Sequence, residues 1–147
     1  MNNAVSETYY VSTDKSKLDI NVIHKFLSEE ADWSENIPLK LLKKGIKNSF
    51  CFGVYNNDKQ VGFARLITDY ATFAYLADVF ILPAHRGKNL GKMLMNKIME
   101  HPELQSLRRI SLVTTDAHGL YEKFGFTSPS KPETLMEIFK PDIYKSE

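Results

Sequence analysis

The stretch His85-Arg86-Gly87-Lys88-Asn89-Leu90-Gly91-Lys92 constrains this chain more than any other. It follows an apolar run over residues 75–82 and leads into Leu90, Leu94 and Ile98, spaced four apart as on one helix face. That order reads as a strand, a tight turn and a helix. The first N–H groups of a helix have no intrahelical partner, and the helix dipole adds roughly half a positive charge at that end. Arg86, Lys88 and Lys92 put full charges on the same turn. A unit of this make-up suits an anion.

The rest of the chain narrows the choice. Its 147 residues suit one domain with a proper core, spanning 1–147. A net charge of +1 is not the strongly basic footprint of a nucleic-acid binder. No apolar stretch approaches the ~20 residues of a membrane span. The opening residues lack the basic end and apolar run of a secretory leader. Cys51 is the single cysteine, so neither an intramolecular disulfide nor a cysteine metal site is expected. No Cys/His cluster has ligand spacing either, and no metal is expected. A cytoplasmic location suits this set of features.

In chain order, residues 9–13 are β-forming, and Asp19 can cap a helix with Ile20, Ile23, Phe26 and Leu27 on one face. A polar connector with Trp33 leads to Pro38 in the first turn of a short second helix, weakened by Gly45 and Asn48. Strands over 50–55 and 61–68 flank Asn56-Asn57-Asp58-Lys59, a hairpin signal. Residues 69–72 turn the chain into a strand over 73–82, apolar enough to be covered on both faces. After the glycine turn and its helix, His101-Pro102 stops the helix. A fifth strand over 110–114, a short helix over 117–124 capped by Asp116 and ended by Gly125, and a last strand over 135–139 complete the order. This is an α/β chain of the α+β type. The expected sheet is mixed, mostly antiparallel, with six to seven strands, one parallel pair and about four helices. The helical crossover between the fourth and fifth strands makes the parallel pair, and the end of such a pair leaves a crevice for a ligand.

Two linked motifs now carry a resemblance. Asp78-Val79-Phe80-Ile81-Leu82-Pro83, followed by Arg86-Gly87-Lys88-Asn89-Leu90-Gly91, resembles the acetyl-CoA motif of the GNAT family of N-acetyltransferases, Arg/Gln-x-x-Gly-x-Gly/Ala. Leu120-Tyr121-Glu122-Lys123-Phe124-Gly125-Phe126, about thirty residues on, resembles the family's second hallmark. The resemblance extends over residues 9–139 and implies the acyl-CoA N-acyltransferase fold, with acetyl-CoA as cosubstrate. One position departs: the family prefers glycine where this chain has Asn89. Asparagine is among the residues that best tolerate left-handed backbone, so the turn is expected to survive.

Carried over by position, the resemblance implies roles. Backbone N–H groups of Arg86, Gly87, Lys88, Asn89, Leu90 and Gly91 would hold the pyrophosphate, with Lys88 and Lys92 adding charge. The main chain of Ile81 would pair with the pantetheine arm. The N–H of Val79 would polarise the thioester carbonyl. Tyr121 would protonate the departing thiolate. The family's usual base position falls on Tyr75, which is not a carboxylate. Asp78 ranks first as base, then Asp69 and His118. Strand alternation puts Asp78 on the face opposite Tyr75, Val79 and Ile81.

Trp33 and Tyr75 are the expected acceptor contacts, with Tyr70, Phe73 and the acidic residues 29–35 nearby, a setting for a cationic amine. The implied partner is a small-molecule or peptide amine, without nucleic acid or membrane, and the chain is a monomer or homodimer. Cys51, between Phe50 and Phe52, reads as core filler, so direct attack on acetyl-CoA is expected. The rival reading is a non-catalytic acyl-CoA sensor, which would keep the turn and not need Tyr121.

Overall fold

A computed structural model describes residues 7–145. The expectation that the chain opens without a leader concerns residues 1–6, which lie outside that range. Among the described residues one sheet runs β1 (Tyr9–Ser12), β2 (Phe50–Asn56), β3 (Lys59–Thr68), β4 (Phe73–Ile81) and β5 (Arg109–Ser111), each beside the next. The first four pair antiparallel, and β4 pairs with β5 in parallel, as the crossover requires. The expected count of six to seven strands is corrected to five. Residues 135–139 have strand-forming side chains, but no neighbour supplies the backbone partners a strand needs.

Among the described residues four α-helices flank the sheet: α1 (Ile20–Lys25), α2 (Leu39–Lys47), α3 (Leu90–Met99) and α4 (His118–Glu122). Asp19 caps α1 as expected, its carboxylate accepting from the N–H groups of Asn21 and Val22. A π-helical turn, Phe26–Glu30, then widens the helix end, with the Ala31 N–H donating to the Phe26 carbonyl at 3.0 Å. Asp116 does not cap α4. The cap position falls one residue later, on Ala117, whose N–H donates to Thr114 Oγ1 at 3.0 Å.

Alternation along the strands sorts two cores. Phe52, Val54, Ala64, Leu66, Ala74 and Leu76 face α3 and α4, where they meet Leu94, Met95, Ile98 and Tyr121. Cys51, Phe63 and Phe80 face the other way, onto Ile23, Phe26, Leu27, Leu42 and Ile46. Phe26 stacks on Phe80 with ring centroids 4.1 Å apart, which fastens the π-helical turn to β4. The glycine turn therefore leaves a strand buried on both faces, and its position is fixed by two cores rather than one.

The β3–β4 turn closes on Asp69. Its carboxylate accepts from the N–H groups of Ala71, Thr72 and Phe73 and from the Thr72 hydroxyl. These bonds, led by the Thr72 hydroxyl, hold the carboxyl far below the ordinary aspartate range. The stabilisation is fully present above the unfolded value of about 3.9 and is lost only as pH falls through the lower folded value. Asp69→Asn is expected to lower Tm at neutral pH, with the gap to the parent chain closing progressively below about pH 4. Thermal scans across that range check it, and a gap independent of pH would refute the ionic origin.

Candidate active site

The site begins with one extra residue in β4. Arg65 lies opposite Ala77 and Phe63 opposite Phe80, so Asp78 and Val79 together face Ala64. This is a β-bulge, which bends the strand and takes one residue out of the ladder. Asp78 adopts φ +57°, a conformation that costs a side-chain-bearing residue about 1–2 kcal/mol. Its side chain is tied on both oxygens: Arg65 Nε donates to Oδ2 at 2.6 Å and Trp33 Nε1 to Oδ1 at 2.9 Å. Arg65 reaches on to the Ser49 hydroxyl at 3.0 Å. The α1–α2 connector, β3 and the bulge are thereby clamped together.

The bulge corrects the expectation drawn from alternation at Tyr75. Val79 and Ile81 turn toward the α3–α4 core and Asp78 points to the opposite face with Arg65 and Trp33, as expected, but Tyr75, between Ala74 and Leu76 of the α3–α4 core, shares the face of Asp78. The bulge also coincides with the parting of two strands. β4 and β5 pair only at Phe73–Arg109, Ala74–Ile110 and Tyr75–Ser111, and beyond that point the edge of β4 is open. The parallel pair thus ends in a crevice flanked by the bulge.

At the far end of β4 the chain makes a short 3-10 turn, Pro83–His85, before the loop into α3. Gly87 (φ +81°) and Asn89 (φ +61°, ψ +24°) are both left-handed, and Asn89 directly precedes the helix. Asparagine thus holds the backbone shape for which glycine is the default. A groove of about 360 Å³ runs along the turn, lined by Ile81, His85, Arg86, Gly87, Asn89, Leu90, Gly91, Lys92, Leu120 and Lys123. Arg86 Nε donates to the Ile81 carbonyl at 2.9 Å. Lys88 turns away toward the start of β1, pairing with Glu7 just before the strand at 2.7 Å and reaching the Tyr9 hydroxyl at 3.2 Å. Tyr121, on α4, is buried in the same core as Val79 and Ile81, edge-on to Phe126.

The sequence model of the acetyltransferase (GNAT) family matches residues 20–126, which hold the bulge, the turn and Tyr121. The chain belongs to the GNAT acetyltransferase family. A Xanthomonas campestris structure assigned to that family is 54% identical, with a TM-score of 0.92 over 95% of this chain and 98% of that one. A Gibberella zeae relative named as an acetyltransferase is 35% identical over 137 residues, 78% of this chain and 76% of its own. A Clostridium acetobutylicum acetyltransferase structure with acetyl-CoA, at 12% identity, shares the fold alone, with a TM-score of 0.65 over 91% of this chain and 96% of that one.

In this GNAT chain the two faces of β4 separate the named residues. Val79, Ile81 and Tyr121 gather on the α3–α4 side. Asp78 and Trp33 meet on the other, and Asp78 is near enough to Tyr75 to act on its phenol. Burial pushes the Tyr75 hydroxyl up, with smaller pushes from the charges of Asp78 and Glu137. Asp69 lies outside this group, at the end of the sheet where β4 starts. Six residues of extended chain, roughly 20 Å, separate Phe73 from Val79. His118 opens α4 and is exposed.

His85, Leu120 and Lys123 line the groove but were not expected there. Leu120 and Lys123 stand in the second motif, so the signal was present. What was missing was the approach of α4 to α3, seen where a Cβ on Gly91 would lie 3.8 Å from Leu120.

Proposed function

We propose that this acetyltransferase moves the acetyl group of acetyl-CoA directly onto an amine. The observation that carries the reading is the bulge at Asp78–Val79, placed where β4 and β5 part and leading into the left-handed turn. An open strand edge can take an extended pantetheine arm as an added strand, and a groove at a helix N-terminus suits a pyrophosphate. Of the lysines considered, Lys92 lines that groove, joined by Lys123, while Lys88 braces β1.

The chemistry follows from charge. An alkylamine near pKa 10 must lose a proton before it attacks. Its nitrogen then bonds to the carbonyl carbon, the oxygen gains charge that the Val79 N–H offsets, and the C–S bond breaks. Two protons leave nitrogen, one to solvent before attack and one as the adduct collapses; sulfur takes one from the Tyr121 hydroxyl and the phenolate regains the second through water, so the step balances. Cys51 is a poor nucleophile for a covalent detour, since burial pushes its thiol up to about 11.

Asp78 fits this scheme as a positioning residue. Both of its oxygens are engaged, and its backbone forms the bulge that presents Val79. The exposed Trp33, with Tyr75 half-buried nearby, offers an aromatic wall to the acceptor. The deciding experiment is thiol release from acetyl-CoA over amines, polyamines, amino acids and peptides. Release with at least one amine is expected. Tight binding of acetyl-CoA without release from any acceptor would turn the assignment to an acyl-CoA sensor.

Asn89 supplies a binding prediction. Asn89→Gly is expected to hold acetyl-CoA at least as tightly. Asn89→Ala, which adds left-handed strain of about 1 kcal/mol, should weaken it about fivefold. Titration calorimetry measures both. Equal affinities for the two variants would remove the turn's backbone from the account.

A further inference from the structure

Lys88 leaves the groove for the start of β1, yet the contacts it makes there lead back to the groove. Its ammonium pairs with Glu7 at 2.7 Å, reaches the Tyr9 hydroxyl at 3.2 Å and sits 5.5 Å from the centre of the Tyr9 ring. That hydroxyl lies 3.0 Å from Nδ1 of His85, and the two rings meet edge to face with centroids 5.9 Å apart. His85 is half-buried and lines the groove. Glu7, Lys88, Tyr9 and His85 thus form a continuous chain from the edge strand of the sheet to the groove.

The direction of each hydrogen bond follows from what each group can give. An ammonium has donors only, so Lys88 donates to the Glu7 carboxylate and to the Tyr9 oxygen. A phenol has one hydrogen. With Glu7 held by Lys88, the acceptor left for that hydrogen is Nδ1 of His85. A neutral ring that accepts at Nδ1 carries its own proton on Nε2. The Nε2–H donor points away from Tyr9 and makes no hydrogen bond among the described residues.

We infer that His85 donates through Nε2–H to a diphosphate oxygen of acetyl-CoA, and that Tyr9 and Lys88 are positioning residues that hold the ring in the tautomer and plane this requires. The inference rests on the acetyl-CoA reading. A hydrogen bond to an anionic oxygen is stronger than one between neutral groups, and a donor fixed beforehand loses little freedom when the ligand arrives. Among the described residues no carboxylate lines the groove to compete for that donor. Lys88 then contributes to binding through Tyr9 and the ring, without bringing its own charge to the ligand.

Titration calorimetry with CoA and nitrogen NMR of the histidine rings test it together. His85→Ala is expected to weaken CoA about tenfold, the scale of one hydrogen bond to a charged group. His85→Gln, whose amide N–H can stand in for Nε2–H, should stay within about threefold of the parent chain, and the shorter His85→Asn should be as weak as His85→Ala. Tyr9→Phe should weaken CoA about threefold in the parent chain and not at all on top of His85→Ala, because Tyr9 acts through the ring. The spectra are recorded at mildly alkaline pH, where imidazoles are neutral, and the His85 ring is picked out of the four histidines by its loss in His85→Ala. It should show the Nε2–H form in the parent chain and a mixture of both forms in Tyr9→Phe. If the parent chain binds CoA, a His85→Ala variant of undiminished affinity, a His85→Gln variant no tighter than His85→Ala, or an Nδ1–H ring in the parent chain would overturn the inference alone. A Tyr9→Phe loss that persists beside His85→Ala would overturn the positioning role. A parent chain that does not bind CoA would overturn the acetyl-CoA reading and this inference with it.

Discussion

Tyr121→Phe is expected to lower kcat about 10²–10⁴-fold, the usual loss on removing a positioned proton donor. KM for acetyl-CoA should change little, because the hydroxyl acts on the leaving sulfur rather than on the groove. The fold should tolerate the change, since the ring, packed edge-on to Phe126, is retained. The pH profile adds a second reading. Burial, helped by the charge of Asp116, pushes the Tyr121 phenol above its ordinary value. The donor therefore stays protonated further into alkali than a free phenol, and the fall on the alkaline side of the parent enzyme's kcat profile should come correspondingly late. Steady-state thiol release measures both quantities. Turnover within a few-fold of the parent would remove Tyr121 from the proton pathway.

The fold was legible where the sequence carries a period or a stop. The apolar run ending at Leu82, the four-residue spacing of Leu90, Leu94 and Ile98, and Pro102 mark elements that the structure places in the same order. Asn89 adopts the left-handed backbone expected of it, because that preference is a property of the residue itself. The bulge left no such trace. One extra residue in a strand changes no composition and breaks no pattern of apolar residues, yet it reverses every face beyond it. Alternation therefore grouped Tyr75 with Val79 and Ile81, whereas it shares the face of Asp78. The π-helical turn, Phe26–Glu30, is hidden in the same way, and it carries the chain toward Trp33. The expected last strand over 135–139 fails for a different reason. A strand is completed by its neighbour, and the sequence names no neighbour.

The bulge also allows the two readings of Asp78 to be separated. Its pair with Arg65 is largely buried, with the side chains 8% and 17% exposed. Removing one member of a buried pair leaves the other charged and unmatched, so Arg65→Met is expected to cost about 3 kcal/mol in urea unfolding. Adding Asp78→Asn removes the stranded charge. Asparagine keeps the size of the side chain, tolerates the left-handed backbone at this position, and still accepts from Trp33 Nε1. The double variant should regain more than half of the lost stability, a non-additivity that reports direct coupling. Asparagine cannot take a proton from an amine. If Asp78 acts by shaping the bulge, the double variant keeps turnover within about tenfold of the parent enzyme and keeps the rise of kcat/KM with pH. If Asp78 is the base, turnover falls by about 10²-fold or more and that rise is altered, although stability has returned.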